Sequence, residues 1–283
     1  MSEEVQTEVE DGVLIVTINR PAAKNAMNKA AAEGIAAAMD RLDAEDDLRV
    51  AILTGAGGTF CSGMDLKGFL RGESPSVEGR GFGGVVQAPP KKPLIAAVEG
   101  YALAGGLELM IACDLVVANE GAKFGIPEAK RGLVAAAGGV MMLPDQIPER
   151  IAMELALTGE FIDAGRAYEL GLINRVVSGS ALDGAKELAR KIAENGLFFS
   201  RNAGAVTVVF HDPGLQKGGQ LLLRSFFTAR TFVGVDVLFR RDVFVGFRIP
   251  VVPFDQGRAL VPTLHCLKTP HVPHRWIDQD RVE

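Results

Sequence analysis

The residues from Pro93 to Asp114 constrain this chain more than any others. Pro93 to Val98 is a short apolar run suited to a buried strand. It is followed by Gly100-Tyr101-Ala102-Leu103-Ala104-Gly105-Gly106-Leu107-Glu108-Leu109, leading into Met110-Ile111-Ala112-Cys113-Asp114, so that an apolar strand meets a glycine pair, a carboxylate and then an apolar helix. Gly105-Gly106 permits a tight turn with backbone N–H groups left bare at the helix start, where negative charge is favoured. Glu108 lies three residues after Gly105, so both fall on one face of the first turn. A carboxylate and an anion-stabilising amide then look into one place. Taken alone, the same residues also suit a plain packing turn with a glutamate satisfied by the helix dipole, and only the rest of the chain separates the two readings.

In chain order, Val5 to Asn19 reads as a hairpin around Asp11-Gly12, and Asn28 is placed to cap an Ala-rich helix from Lys29 to about Ala44. Arg49-Val50-Ala51-Ile52-Leu53-Thr54 is the next buried strand. Gly55-Ala56-Gly57-Gly58 closes it, and Thr59 to Leu66 forms a second glycine-bearing strand-to-helix corner. No Gly-Lys-Ser/Thr follows Gly57-Gly58, so this is no phosphate-binding P-loop. Cys61 and Ser62 are nucleophilic types, but no His precedes position 211 to act as their base. Residues 67–92 are rich in Gly, Pro and Ser without a sustained period and read as a long mobile loop of the kind that covers a site. Further strands are expected at 115–118 and 173–177, and helices at 147–157, 163–168 and 180–195. Glu128 follows Pro127 at the start of a helical turn, where a solvated first-turn glutamate is an equally good local reading.

A chain of 283 residues with 48% apolar content buries a sizeable core. The net charge of −5 provides no basic footprint for nucleic acid. The N-terminus is acidic and polar, and no apolar run is long enough to span a bilayer, so a cytoplasmic protein without membrane contact is expected. Cys61, Cys113 and Cys266 are few and far apart, which fits reduced thiols, and no ligand spacing suggests a metal site.

Several stretches in register resemble the crotonase superfamily, and within it the enoyl-CoA hydratase/isomerase family. They are Asn19-Arg20-Pro21 with Asn25-Ala26, then Phe60-Cys61-Ser62-Gly63-Met64-Asp65-Leu66, then Gly100 to Leu109 with Cys113-Asp114, then Phe124-Gly125-Ile126-Pro127-Glu128. Ala156-Leu157-Thr158-Gly159 and Gly171 to Val177 complete the set. The resemblance implies an α/β fold, a crotonase-like spiral of repeated ββα units, over residues 1–196. It implies an acyl-CoA substrate whose thioester carbonyl is held by the backbone N–H groups of Met64 and Gly105, in an oxyanion hole. It also implies catalytic glutamates at Glu108 and Glu128, the first activating water and the second delivering a proton. CoA and substrate would lie along Lys24, Ala26, Ser62, Asp65, Leu66 and Pro127. No separate cofactor is implied, since coenzyme A is part of the substrate, and the assembly would be a homotrimer or hexamer.

Beyond Gly196 the resemblance stops. Residues 197–283 hold all four His and the single Trp, and Arg greatly outnumbers Lys there. This atypical C-terminal segment stands where the family has its helical trimerisation region, and it reads as frame-shifted, poorly ordered or a genuine fusion, with an extended end rich in proline. The leading reading that the resemblance implies is an enoyl-CoA hydratase, adding water across the 2,3-double bond of 2-enoyl-CoA thioesters. It competes with isomerisation of enoyl-CoA or another crotonase-type acyl-CoA reaction, which need not position water, and with a catalytically impaired acyl-CoA binding protein.

Overall fold

The computed structural model describes residues 3–194 in full and, beyond them, the backbone of five strands between 197 and 248. Strands β1 (Val5–Glu10) and β2 (Val13–Ile18) form the expected hairpin. Asp11 and Gly12 both take positive φ, the geometry that a two-residue turn between twisted strands requires. Helix α1 (Lys29–Ala44) starts where the sequence places it, with the Asn28 side chain accepting from the Ala31 N–H at 3.0 Å. Next come β3 (Val50–Gly55), a short α2 (Leu66–Leu70), a small hairpin of β4 (Ser76–Val77) and β5 (Gly81–Phe82), then β6 (Leu94–Val98), β7 (Tyr101–Leu103) and α3 (Gly105–Ile111). Strands β8 (Leu115–Asn119) and β9 (Lys123–Gly125) lead through a 3₁₀ turn (Pro127–Arg131) to α4 (Gly139–Gln146) and α5 (Glu149–Thr158). Then β10 (Ile162–Asp163), α6 (Ala164–Glu169), β11 (Arg175–Val177) and α7 (Ala181–Glu194) complete the first unit.

The main sheet has the order β1-β2-β3-β6-β8-β11, parallel throughout except for the opening hairpin. Alternation along each strand sends Leu14, Val16, Leu53, Ala96 and Val98 to a large core that includes α1 and α3. Val13, Ile15, Val50, Ile52, Ile95 and Val117 go to the opposite face, against Ala181, Ala185 and Ala189 of α7. Burial on both faces is why these strands read as continuous apolar runs. A second layer stacks in the same order as the first: Met27 bridges Met64, Cys61 bridges Ala102, and β7 pairs with β9, all in parallel. Each turn of the chain thus supplies a main-sheet strand, a second-layer segment and a helix or helical turn. This is the repeated strand–strand–helix spiral expected from the sequence.

Two expectations are corrected. Residues 67–92 are not one irregular loop: they contain most of α2 and the β4–β5 hairpin, and Phe82, Val85 and Val86 are buried in the core. Glycine at 84 permits this, because a methyl group there would stand 2.3 Å from the Ala32 carbonyl oxygen of α1. The helix expected at 147–157 is α5, beginning at Glu149, and α4 precedes it unforeseen, because an opening Gly139 and an internal Pro144 disguise it.

The chain divides into two compact units, Met1–Asn195 and Gly196–Glu283. In the second, strands β12 (Leu197–Asn202), β13 (Ala205–His211), β14 (Gln220–Thr228), β15 (Thr231–Arg240) and β16 (Phe247–Arg248) form one antiparallel meander in sequence order. The histidine and tryptophan side chains there, and the extended end expected after 248, lie outside the described residues.

Candidate active site

Two strand-to-helix corners, at Gly63-Met64 and Ala104-Gly105, meet above the core. The Met27 N–H donates to the Gly63 carbonyl at 2.7 Å and the Asp65 N–H to the Met27 carbonyl at 2.8 Å. With its two neighbours turned toward Met27, Met64 itself presents its N–H to the other side. Ala104 has φ 52° and ψ −129°, a conformation non-glycine residues rarely adopt. It swings the chain from β7 into α3, so the Gly105 N–H opens the helix with no preceding carbonyl to accept it. A methyl group on Gly63 would lie 2.9 Å from the Ala104 Cβ and 3.4 Å from the Gly105 nitrogen, so the corners touch.

Below them is a cavity of about 260 Å³ bordered by Met64, Gly105, Glu108 and Glu128, with Phe82, Leu133, Val134 and Ala137 as apolar walls. Glu108 is 3% exposed. Its Oε1 accepts from the Gly139 N–H at 2.8 Å, at the first residue of α4. Burial raises its pKa, and the Gly139, Ala137 and Gly138 N–H groups offset only part of that rise. Glu128 opens the 3₁₀ turn after Pro127, and its Oε2 is buried with no hydrogen-bond partner. Burial raises its pKa too; its own backbone N–H opposes that, the charge of Glu108 adds to the rise, and Arg131 opposes it. The two carboxyls therefore differ: one is supplied with three backbone donors that favour the anion, the other has an oxygen without a donor and a like charge nearby.

That difference is measurable without substrate. The folded-state pKa of Glu128 lies above its ordinary value, so its contribution to stability is complete below about pH 4 and is lost as the pH rises through the elevated value. Glutamine does not titrate. The Tm of Glu128→Gln minus that of the parent is expected to be smallest at the acid end and to grow positive toward neutral pH. A difference independent of pH would contradict the raised pKa of Glu128.

An adjoining cleft of about 920 Å³ shares Ser62, Met64, Leu66, Ala104 and Arg131 with the cavity. Lys24, Ala26, Ser62, Asp65, Leu66 and Pro127, all the positions assigned to CoA by resemblance, line it. Its walls carry the cations Arg20, Lys24, Lys67, Arg71, Lys130 and Arg131 and one acid, Asp65. The acid is already engaged: Arg20 Nη2 donates to Asp65 Oδ2 at 2.8 Å, and the Lys67 and Gly68 N–H groups donate to Oδ1 at 3.0 and 3.1 Å. The hydrogen bond from Arg20 is the main reason that its pKa is lowered. Arg20 also pairs with Glu4, so Arg20 and Asp65 brace the corner. Lys24, Lys67 and Arg131 form no ion pair among the described residues, which leaves a positive surface suited to a phosphate-bearing ligand. The Cys61 thiol is buried and pushed up to about 12, which removes it as a nucleophile. No group of three metal-ligating side chains occurs among the described residues.

The sequence model of the family described as "Enoyl-CoA hydratase/isomerase" matches residues 8–207. The chain belongs to this family. The match runs past Gly196, where the motif resemblance ends. Among the relatives, enoyl-CoA hydratase EchA19 of Mycobacterium tuberculosis is 48% identical over 191 residues, 65% of this chain and 72% of that protein. The (E)-benzylidenesuccinyl-CoA hydratase of Thauera aromatica is 38% identical over 227 residues, 76% of this chain and 86% of that protein. A crystal structure of enoyl-CoA hydratase from Mycobacterium tuberculosis H37Rv superposes with a TM-score of 0.67 at 61% identity, covering 69% of this chain and 77% of that one. The spiral is thus the crotonase fold, and this family member is an enzyme of the enoyl-CoA hydratase type.

Sequence reasoning missed several residues that border the site. Phe82 lies in a stretch without periodicity, and Leu133, Val134 and Ala137 lie in the link between Glu128 and α4, where nothing local distinguishes a cavity wall from a loop. Arg20 was visible only as part of a motif, and its brace to Asp65 spans 45 residues. No helix among the described residues is long and apolar enough to cross a membrane.

Proposed function

We propose that this enzyme hydrates 2-enoyl-CoA thioesters, adding water across the 2,3-double bond. The observation that carries the reading is the pair of carboxyls in unlike surroundings, Glu108 and Glu128, at one cavity bordered by the Met64 and Gly105 corners. Names of relatives point the same way, as hydratases and dehydratases of CoA thioesters. In this reading the CoA portion lies along the cationic cleft and the thioester carbonyl points at the Met64 and Gly105 N–H groups. Glu108, whose anionic form the N–H groups at the start of α4 favour, takes a proton from a water whose oxygen bonds to C3. The C2–C3 π electrons move toward the carbonyl, and the enolate oxygen is stabilised by the two amides, each worth about 3 kcal/mol of barrier. Collapse of the enolate draws a proton from Glu128 to C2. Passing the proton from Glu108 back to Glu128 resets the pair, so the two titrate as a unit.

The purified chain is expected to consume crotonyl-CoA, seen as falling absorbance of the conjugated thioester. Binding of CoA esters without that loss would favour an acyl-CoA binding protein. Conversion of a 3-enoyl-CoA to the 2-enoyl isomer without net hydration would favour isomerisation. Assembly as a homotrimer or hexamer belongs to the same proposal, and sedimentation of the purified chain tests it.

A further inference from the structure

Among the described residues, Phe82 is the one aromatic side chain lining the cavity of Glu108 and Glu128, and the backbone that carries it is tightly packed. Phe82 closes the β4–β5 hairpin, is 7% exposed, and borders the cavity that holds Glu108 and Glu128. A methyl group built on Gly105 would stand 2.4 Å from Cζ of its ring. The ring therefore lies against the first residue of α3, beside the proposed carbonyl donor, which in the hydratase reading is the end of the cavity that receives C2 and C3.

The backbone around it is locked. A methyl group on Gly83 would meet Leu109 Cδ1 of α3 at 2.7 Å, and one on Gly84 would meet the Ala32 carbonyl oxygen of α1 at 2.3 Å. Arg80, at the start of the same turn, donates to the Ala88 carbonyl at 3.1 Å and pairs with Asp40 of α1. The hairpin is thus wedged between two helices, and interiors packed this closely do not yield to an extra methyl group without cost. Leu133 and Val134 are further large apolar side chains that border the cavity.

We propose that Phe82 is a specificity-determining residue of this site: it restricts substitution at C2 and C3 of the acyl group and does not act on chain length, which selects against 2-enoyl-CoA esters branched at those carbons. The inference rests on the hydratase reading. A pocket that lacks room for one carbon discriminates by about 10–200-fold.

The test compares the full-length parent, Phe82→Leu and Phe82→Ala on crotonyl-CoA, 2-hexenoyl-CoA, 3-methylcrotonyl-CoA and 2-methylcrotonyl-CoA. Both variants are expected to raise the branched-to-linear ratio of kcat/KM by about tenfold or more, while the hexenoyl-to-crotonyl ratio stays within about threefold. Should Phe82→Ala fail to fold, Phe82→Leu keeps most of the packing and carries the test. An unchanged branched-to-linear ratio in folded Phe82→Leu would overturn the proposal. If the parent hydrates none of the esters, the hydratase reading has failed separately. Titration calorimetry of the same proteins with butyryl-CoA and 3-methylbutyryl-CoA then decides: the affinity ratio shifts toward the branched ester if Phe82 is the wall, and stays constant if it is not.

Discussion

Replacing Glu108 with glutamine is expected to lower the kcat of crotonyl-CoA hydration by about 10²–10⁴-fold, and Glu128→Gln by a similar factor for a different reason. In Glu108→Gln the new amide oxygen still accepts from the Gly139 N–H, so the link from α3 to α4 survives and the fold with it. What that variant loses is the negative charge that, in the proposed reaction, takes the water's proton. In Glu128→Gln the new side chain fills the same space at the start of the 3₁₀ turn but has no acidic proton to deliver to C2 in that reaction. Neither side chain lines the cationic cleft proposed for CoA, so KM is expected to change little, which marks loss of transition-state stabilisation and not of ground-state binding. The double replacement is expected to be scarcely worse than the poorer single one, because the two carboxyls act on one water as a unit. Steady-state kinetics of the three variants, with circular dichroism to verify folding, gives the answer. A near-parental rate in either single variant would refute the role assigned to that glutamate.

Gly106→Ala is expected to damage the fold severely. A methyl group there would stand 2.0 Å from the Cys61 carbonyl oxygen and 2.7 Å from its carbonyl carbon. Both are backbone atoms of a residue hydrogen-bonded into the second layer, where the Leu103 N–H donates to that same oxygen at 3.1 Å. The neighbour therefore has no rotamer by which to withdraw, unlike the Phe82 ring that faces Gly105. Overpacking of this kind costs about 3 kcal/mol or more. For a domain of this size that is a fall in Tm of about 10 °C, or accumulation in the insoluble fraction. Gly179→Ala serves as the control, since nothing lies within 4 Å of its added methyl group and its φ is not in the left-handed region. It is expected to stay within about 0.5 kcal/mol of the parent. Equal unfolding temperatures for the two variants would show that the corner is looser than its contacts imply.

The hairpin at Asp11-Gly12, the cap at Asn28 and the buried strands were legible because each depends on a few adjacent residues: positive φ in a two-residue turn, one side-chain oxygen facing an orphan N–H, and short runs of β-branched and aliphatic residues. The two corners were legible for the same reason, since a glycine beside a helix start is a local signal. Residues 67–92 were not. Their glycines resemble those of a free loop, and only the helices they press against, α1 and α3, explain why Phe82, Val85 and Val86 are buried. Helix α4 was hidden for a related reason. Gly139 is a poor helix residue, and the Glu108 carboxylate that it supports is 31 positions away.

The sequence alone determined which residue types stand at the two corners, that two glutamates were available, and that the strands would be buried, because those properties reside in short windows. It could not determine that Met64 and Gly105 would border one cavity, that three N–H groups from residues 137–139 would favour the anion at Glu108 while Glu128 Oε2 stays bare, or that Phe82 would be wedged against Gly105. Those outcomes are set by burial and by contacts between distant segments, and desolvation and packing exist only once the chain has closed on itself.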